Sequence, residues 1–229
     1  MKVGIIILCR YNSSRLPGKI LMEIKGKPIL AYILERLALS KYAKNIVIAT
    51  SDQLSDDPIA EFCEGKPIKL FRGSLENVSR RFLDCAVSFD LDYAVRVNGD
   101  NLFADHNLLD AAVDLAIAGR HDFVTNVKGR TFPTGMSVEV VNTRFYKKQA
   151  AYFDAAEYLE HVTSYFYEHP DAGNFEYIYN ETIKSAHGLK LAVDCEEDLN
   201  FVSLLLTKMK MPHTSYGWQD IVNLAVNEE

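Results

Sequence analysis

Residues 9–19 read Cys9-Arg-Tyr-Asn-Ser-Ser-Arg-Leu-Pro-Gly-Lys19. Three cations (Arg10, Arg15, Lys19), two hydroxyls (Ser13, Ser14) and a run of turn amides in so short a span suit a polyphosphate. Arginine offers a bidentate fork, lysine a mobile point charge, and successive amides an anion-binding nest. The stretch is not a Walker A loop, because Gly18-Lys19 is followed by Ile20 and the upstream glycine is missing. A solvated basic loop has the same composition and stays open as the alternative. Asp100 and Asp194 each follow an apolar run, residues 93–97 and 189–193. If both runs are central strands, the two carboxylates face one crevice beyond the strand ends and can share Mg²⁺. Asp194 also reads as a helix N-cap and Asp100 as part of a Gly-Asp turn.

The elements that must position these residues alternate. Residues 3–8, 45–49, 68–71 and 93–97 read as strands; residues 29–37, 58–64, 76–89 and 108–117 carry helical spacing. That βαβα order predicts an α/β domain with a mostly parallel sheet, helices on both faces and right-handed crossovers. Further on, 123–126, 138–141 and 189–193 read as strands, and 146–169 as largely helical. Residues 175–182 alternate like a half-exposed antiparallel strand. Asp194-Cys-Glu-Glu197 resembles a capping box opening a helix to about Met209. One domain over residues 1–229, with about 127–185 inserted as a sugar-side or dimerisation region, is the economical organisation.

Charge narrows the function classes. The 229 residues hold 25 Lys+Arg and 31 Asp+Glu, a net charge of −6. Residues 1–27 nevertheless carry an excess of +5, and the rest −11. An acidic body with one basic segment suits a local anion site and excludes wrapping of duplex nucleic acid. No apolar run reaches the ~20 residues of a membrane span. The four cysteines (Cys9, Cys63, Cys85, Cys195) form no CxxC pair, so buried reduced thiols in a cytoplasmic protein are expected.

Arg10-x4-Arg15-Leu-Pro-Gly-Lys19 followed by Ile24-x-Gly-Lys-Pro28 resembles the opening of the CMP-sugar cytidylyltransferases. That family includes the 3-deoxy-manno-octulosonate and acylneuraminate enzymes, and the spore coat polysaccharide biosynthesis protein F group is the most similar branch. Thr50-Ser-Asp52, Phe71-Arg-Gly-Ser74, Arg96-Val-Asn-Gly-Asp100, Thr131-Phe-Pro-x-Gly135 with Val138-Glu-Val140, Glu160-His-Val-Thr163 and Val193-Asp-x-x-Glu-Asp-Leu199 continue the match in order. The resemblance implies a Rossmann-like nucleotidyltransferase fold that couples CTP to an acidic sugar and releases pyrophosphate, with a homodimer favoured. It places Arg10, Ser13, Ser14, Arg15 and Lys19 on the triphosphate, and Arg72 and Asn98 near base and ribose. Asp100 and Asp194 would bind Mg²⁺, and Glu139, Glu160 and His161 would lie on the sugar side. Lys19, Arg15 and Asp100 would carry the catalysis. Two departures stand out: Gly99-Asp-Asn-Leu-Phe-Ala-Asp105 lacks the family's proline, and Met136-Ser137 replaces a Leu/Met-Asp pair. The identity of the sugar acid stays open.

Other candidates have plain readings. His161 lies on an aromatic-rich stretch, where a lone histidine is more often a satisfied packing residue than a ligand. Asp90-Leu-Asp92 has the DxD form of metal-dependent glycosyltransferases but precedes its strand, as a solvated turn does. Tyr152, Phe153, Tyr158, Tyr165, Phe166 and Tyr167 suit a core or dimer face better than a sugar pocket. Besides a CMP-sugar synthetase, the residues allow a glycosyltransferase using a preformed nucleotide sugar, or a non-catalytic nucleotide-binding protein of a polysaccharide pathway.

Overall fold

Val3–Leu8 forms β1, buried along its whole length. Its side chains divide by parity. Val3, Ile5 and Ile7 join one apolar cluster, Ile6 and Leu8 another, so both faces of this strand are covered. The computed structural model describes residues 1–226. After β1 come a short hairpin of β2 (Glu23–Ile24) and β3 (Lys27–Pro28), then α1 (Ile29–Leu37), β4 (Ile46–Ser51), α2 (Asp57–Cys63) and β5 (Lys69–Gly73). There follow α3 (Val78–Ser88), β6 (Tyr93–Asn98), α4 (His106–Gly119), β7 (Phe123–Thr125) and β8 (Glu139–Asn142). The chain ends with α5 (Thr143–Gln149), α6 (Ala156–Glu160), α7 (Ser164–Glu168), β9 (Phe175–Tyr177), α8 (Glu196–Lys208) and α9 (Trp218–Val226).

Among the described residues the main sheet has seven strands in the order β5-β4-β1-β6-β8-β7-β9. All pairings are parallel except those of β8, which runs against both β6 and β7. The mostly parallel α/β sheet expected from the alternating pattern is therefore present. Helices α1, α4, α8 and α9 pack on one face, and α3, α5 and α7 on the other. Residues 127–185 contribute β8 and β9 to this sheet and α5 to α7 to one face.

Three expectations change. Residues 189–193 form no strand: Leu191, Ala192 and Val193 are buried, Leu189 is half-buried and Lys190 exposed, and the segment makes one isolated bridge, Thr134 to Lys190. Their backbone pairs with the chain around Gly135, whose φ is +102° and where a Cβ would lie 2.5 Å from the Ala192 amide nitrogen. Only glycine admits so close an approach. β9 is parallel to β7, not antiparallel, and stops at Tyr177, because the intervening β8 and helices leave chain enough for a crossover. The aromatic stretch 146–169 is largely helical as expected, in short helices folded back so that rings from α5, α7 and β9 meet at Phe166. The cap of α8 moves by one residue: Cys195 is the N-cap, and Asp198 accepts from the amides of Asp194 (2.9 Å) and Cys195 (3.1 Å). That leaves the Asp194 carboxylate free to point elsewhere.

The last quarter of the chain is pinned by one buried cation. Arg36 on α1, 1% exposed, donates to the carbonyls of Ala104 (2.8 Å), His213 (2.5 Å) and Tyr216 (3.0 Å). Asp105 caps α4 at the Leu108 amide (2.9 Å) and accepts from the Trp218 amide (2.8 Å). The loop without the family's proline is thus packed: Asn101, Leu102, Phe103 and Asp105 are all buried. The four cysteines are free thiols, and no helix of the described residues is long and apolar enough to cross a membrane.

Candidate active site

The loop after β1 is held in a fixed shape by groups far from it in sequence. Tyr11 donates its amide to buried Asp56 (2.7 Å), which also accepts from the Thr50 hydroxyl (2.8 Å) and the Ser51 amide (2.9 Å). Gly18, at φ +74°, donates to the Tyr11 carbonyl (2.8 Å) and closes the turn. At the end of β6, Gly99 donates to the Leu8 carbonyl (2.8 Å), and a Cβ there would meet that of Cys9 at 2.6 Å. The basic loop and the end of β6, with Asn98 on the strand and Asp100 in the turn after it, are therefore in backbone contact.

Between them lies a cavity of about 240 Å³. Arg10, Ser13, Ser14, Arg15, Lys19, Asn98, Asp100, Glu160, His161 and Asp194 all line it, as do Cys9, Arg81 and Arg96. The structure brings these expected site residues together, although Asp194 is carried by the segment 189–194 and not by a strand. The Val193 amide donates to the Asp100 carbonyl at 3.1 Å, which locks the two aspartates side by side. Lys19 Nζ sits between their carboxylates, 3.3 Å from Asp100 Oδ2 and 3.2 Å from Asp194 Oδ1, and donates to the Val193 carbonyl at 2.6 Å. Arg15 lies 2.9 Å and Lys190 3.3 Å from Asp194. Burial alone would raise the Asp194 carboxyl, but these cations outweigh it and hold its pKa below the ordinary value. Asp100 Oδ1 is buried without a hydrogen-bond partner. Arg10 lies 3.6 Å from Glu160 at the rim.

A second cavity of about 410 Å³ adjoins the first and shares Arg96, Asn98, Asp100, His161 and Asp194 with it. Glu139 forms part of its wall, 2% exposed. The carboxylate is already engaged: it pairs with Arg96 and accepts from Thr163 Oγ1 (2.5 Å) and the Tyr167 hydroxyl (2.7 Å).

A profile of the cytidylyltransferase family matches residues 4–202. The chain belongs to the cytidylyltransferase family. Spore coat polysaccharide biosynthesis protein SpsF of Bacillus subtilis is 30% identical over 210 residues, covering 89% of this chain and 85% of that protein. A cytidylyltransferase structure from Leptospira borgpetersenii serovar Hardjo-bovis superposes with a TM-score of 0.92 at 31% identity, covering 99% of this chain and 94% of the other. CMP:2-keto-3-deoxy-manno-octonic acid synthetase, solved in complex with CTP, shares the fold with a TM-score of 0.66 at 16% identity, covering 91% and 99%. The protein is thus a nucleotidyltransferase with the Rossmann-like architecture of that group.

Not every expected residue of this cytidylyltransferase reaches the crevice. Arg72 does not line either cavity; its guanidinium is held by Asp57 (2.7 Å) and the carbonyls of Ser51 (2.9 Å) and Gln53 (2.8 Å). The Asp90–Asp92 pair lies elsewhere too, with Asp92 accepting from the Lys2 amide at 2.7 Å. Conversely, two arginines to which the sequence motifs assign no role line the first cavity. Arg81 on α3 is 3% exposed, donates to the Ser74 carbonyl (2.6 Å) and has an unpartnered Nε. Arg96 interrupts the apolar run of β6, and a lone charge in a buried strand is the sequence signal that marks it.

Glu139 yields a stability prediction. Burial opposes its charge, but Arg96 and the two hydroxyls hold its pKa below the ordinary carboxyl value. Glu139→Gln leaves Arg96 buried and unpaired and is expected to cost about 3 kcal/mol in chemical denaturation. Because the folded-state pKa is the lower one, this stabilisation is present above the unfolded value of about 4.3 and lost as pH falls through the folded value. The gap in Tm between wild type and variant should therefore narrow in acid. A gap independent of pH overturns the assignment.

Proposed function

We propose that this cytidylyltransferase couples CTP to the anomeric hydroxyl of an acidic sugar, giving a CMP-sugar and pyrophosphate. The observation that carries this reading is the meeting of Arg10, Arg15 and Lys19 with Asp100 and Asp194 where two cavities join. One cavity suits a triphosphate and the other an acceptor, so the α-phosphorus would lie at the junction. The named roles of SpsF in polysaccharide biosynthesis and of the octonic acid synthetase, solved with CTP, support the same chemistry.

In this reading Arg10, Ser13, Ser14, Arg15 and Lys19 bind the triphosphate, and the backbone of the loop after β1 fixes its path. Lys19 and Arg15 stabilise charge as it builds on the departing pyrophosphate. Asn98 lies where the nucleoside passes from the first cavity towards Asp100. Asp100 and Asp194 fit a hard divalent cation, because their oxygens already converge on one cationic group and Asp100 Oδ1 has no partner. Mg²⁺ bound there supplies charge neutralisation of the phosphates and lowers the pKa of a nearby hydroxyl. His161, which lines both cavities, and Glu160, at the rim of the first, would contact the sugar side.

The test is pyrophosphate release from each nucleoside triphosphate with Mg²⁺ and a panel of ulosonic and nonulosonic acids. Release is expected with CTP and at least one acid. CTP binding with no release for any acid supports a non-catalytic nucleotide binder, and transfer from a preformed CMP-sugar without release from CTP supports a glycosyltransferase; either overturns the proposal.

A further inference from the structure

The second cavity is lined by carboxylates of Asp100, Asp194, Glu139 and Glu157, and by two arginines, Arg96 and Arg130. Arg96 is neutralised by Glu139. Asp194 is ringed by Arg15, Lys19 and Lys190. Arg130 stands apart. Among the described residues its guanidinium makes no ion pair or hydrogen bond, and the side chain is exposed at the cavity wall.

Its backbone is built to present it. Gly129 and Arg130 occupy consecutive left-handed conformations, φ 75° and 50°, and the Arg130 amide donates to the Val127 carbonyl at 3.0 Å. On one side, buried Asn126 ties the loop across to Met136 (2.9 Å) and Val138 (2.7 Å). On the other, buried Asn180 grips Thr131 through its hydroxyl (2.9 Å) and its carbonyl (3.0 Å). A non-glycine residue in the left-handed region is strained, and such strain persists where surrounding bonds over-determine it. Here the two staked asparagines do so, and the result is a fixed backbone position from which an exposed, unpaired guanidinium borders the acceptor cavity.

We propose that Arg130 is the specificity-determining residue for the acid group of the acceptor, taking its carboxylate in a bidentate clamp. This rests on the acidic-sugar reading given above and deepens it by naming which end of the sugar each wall receives. Ser137, Ser164 and the Glu157 carboxylate complete a wall suited to hydroxyl groups. An anion without such a fork would meet mostly carboxylates and be rejected.

The experiment uses the full chain with CTP, Mg²⁺ and whichever ulosonic or nonulosonic acid of the panel the wild type turns over best. Arg130→Met is expected to raise KM for that acid about 10- to 100-fold, the range for losing a charged hydrogen bond, with KM for CTP within about twofold. Arg130→Lys should recover only part, because a point charge does not reproduce the fork. Wild type should lose the same factor when offered the methyl ester of the acid, and Arg130→Met should not distinguish acid from ester. Unchanged Tm of Arg130→Met would show that no structural contact was removed. A wild type active on the acid with an unchanged acceptor KM in Arg130→Met overturns this inference alone. Silence of the wild type with every acid overturns the proposed function and this inference with it.

Discussion

Lys19→Met is expected to lower kcat/KM for CTP by about 10²- to 10³-fold, the scale for removing one preorganised donor from a developing phosphate charge. The loss should exceed that of any other single cation in the crevice. Lys19 is 14% exposed at its side chain, and its ammonium touches both Asp100 and Asp194 as well as the Val193 carbonyl. Methionine keeps the stem but leaves two carboxylates facing each other with only Arg15 and Lys190 nearby, both on the Asp194 side. The pair then repels, so the variant should also bind Mn²⁺ more tightly than wild type in the absence of nucleotide. Steady-state pyrophosphate release and Mn²⁺ paramagnetic resonance measure the two effects. Near-normal turnover in Lys19→Met would remove Lys19 from the catalytic set.

Asp100→Asn is expected to reduce turnover by about a thousandfold or more while leaving much of the CTP affinity. The substitution preserves shape and one acceptor oxygen but removes the charge at the junction of the two cavities. Lys19 stays on Asp194 and Val193, so the triphosphate-facing loop keeps its anchor. Calorimetric CTP titration and pyrophosphate release, run on the same preparation, separate binding from chemistry. Release close to wild type would defeat the metal assignment at Asp100, and lost CTP affinity at full stability would recast Asp100 as a binding residue.

Much of this arrangement is legible in the sequence because burial leaves compositional traces. β1, β4 and β6 read as strands since each carries a nearly continuous apolar run, the mark of a strand covered on both faces. The same rule misreads residues 189–193, of which Leu191, Ala192 and Val193 are buried beside the chain around Gly135 with no ladder to join. Composition reports burial, not pairing. Asp194 still reaches Asp100, because one backbone hydrogen bond from Val193 aligns them as a strand would have. Arg72 stands in a family-like motif, yet Asp57 and two carbonyls hold it outside the crevice. Arg81 is not legible as a site residue because it follows Arg80 on an amphipathic helix, and sequence alone does not separate the exposed arginine from the inward one.

The clamp at Arg36 carries a consequence for biosynthesis. Arg36 is translated early, yet two of its three carbonyl acceptors belong to His213 and Tyr216, and the Asp105 carboxylate waits for the Trp218 amide. Contacts of such sequence separation form late, because the intervening loop must close first. A nascent chain therefore keeps a guanidinium meant for near-complete burial in water, with the apolar face of α1 uncovered. The residues that complete this clamp leave the ribosome long after Arg36. Premature termination anywhere before them should produce a product for proteases and chaperones rather than a weakened enzyme.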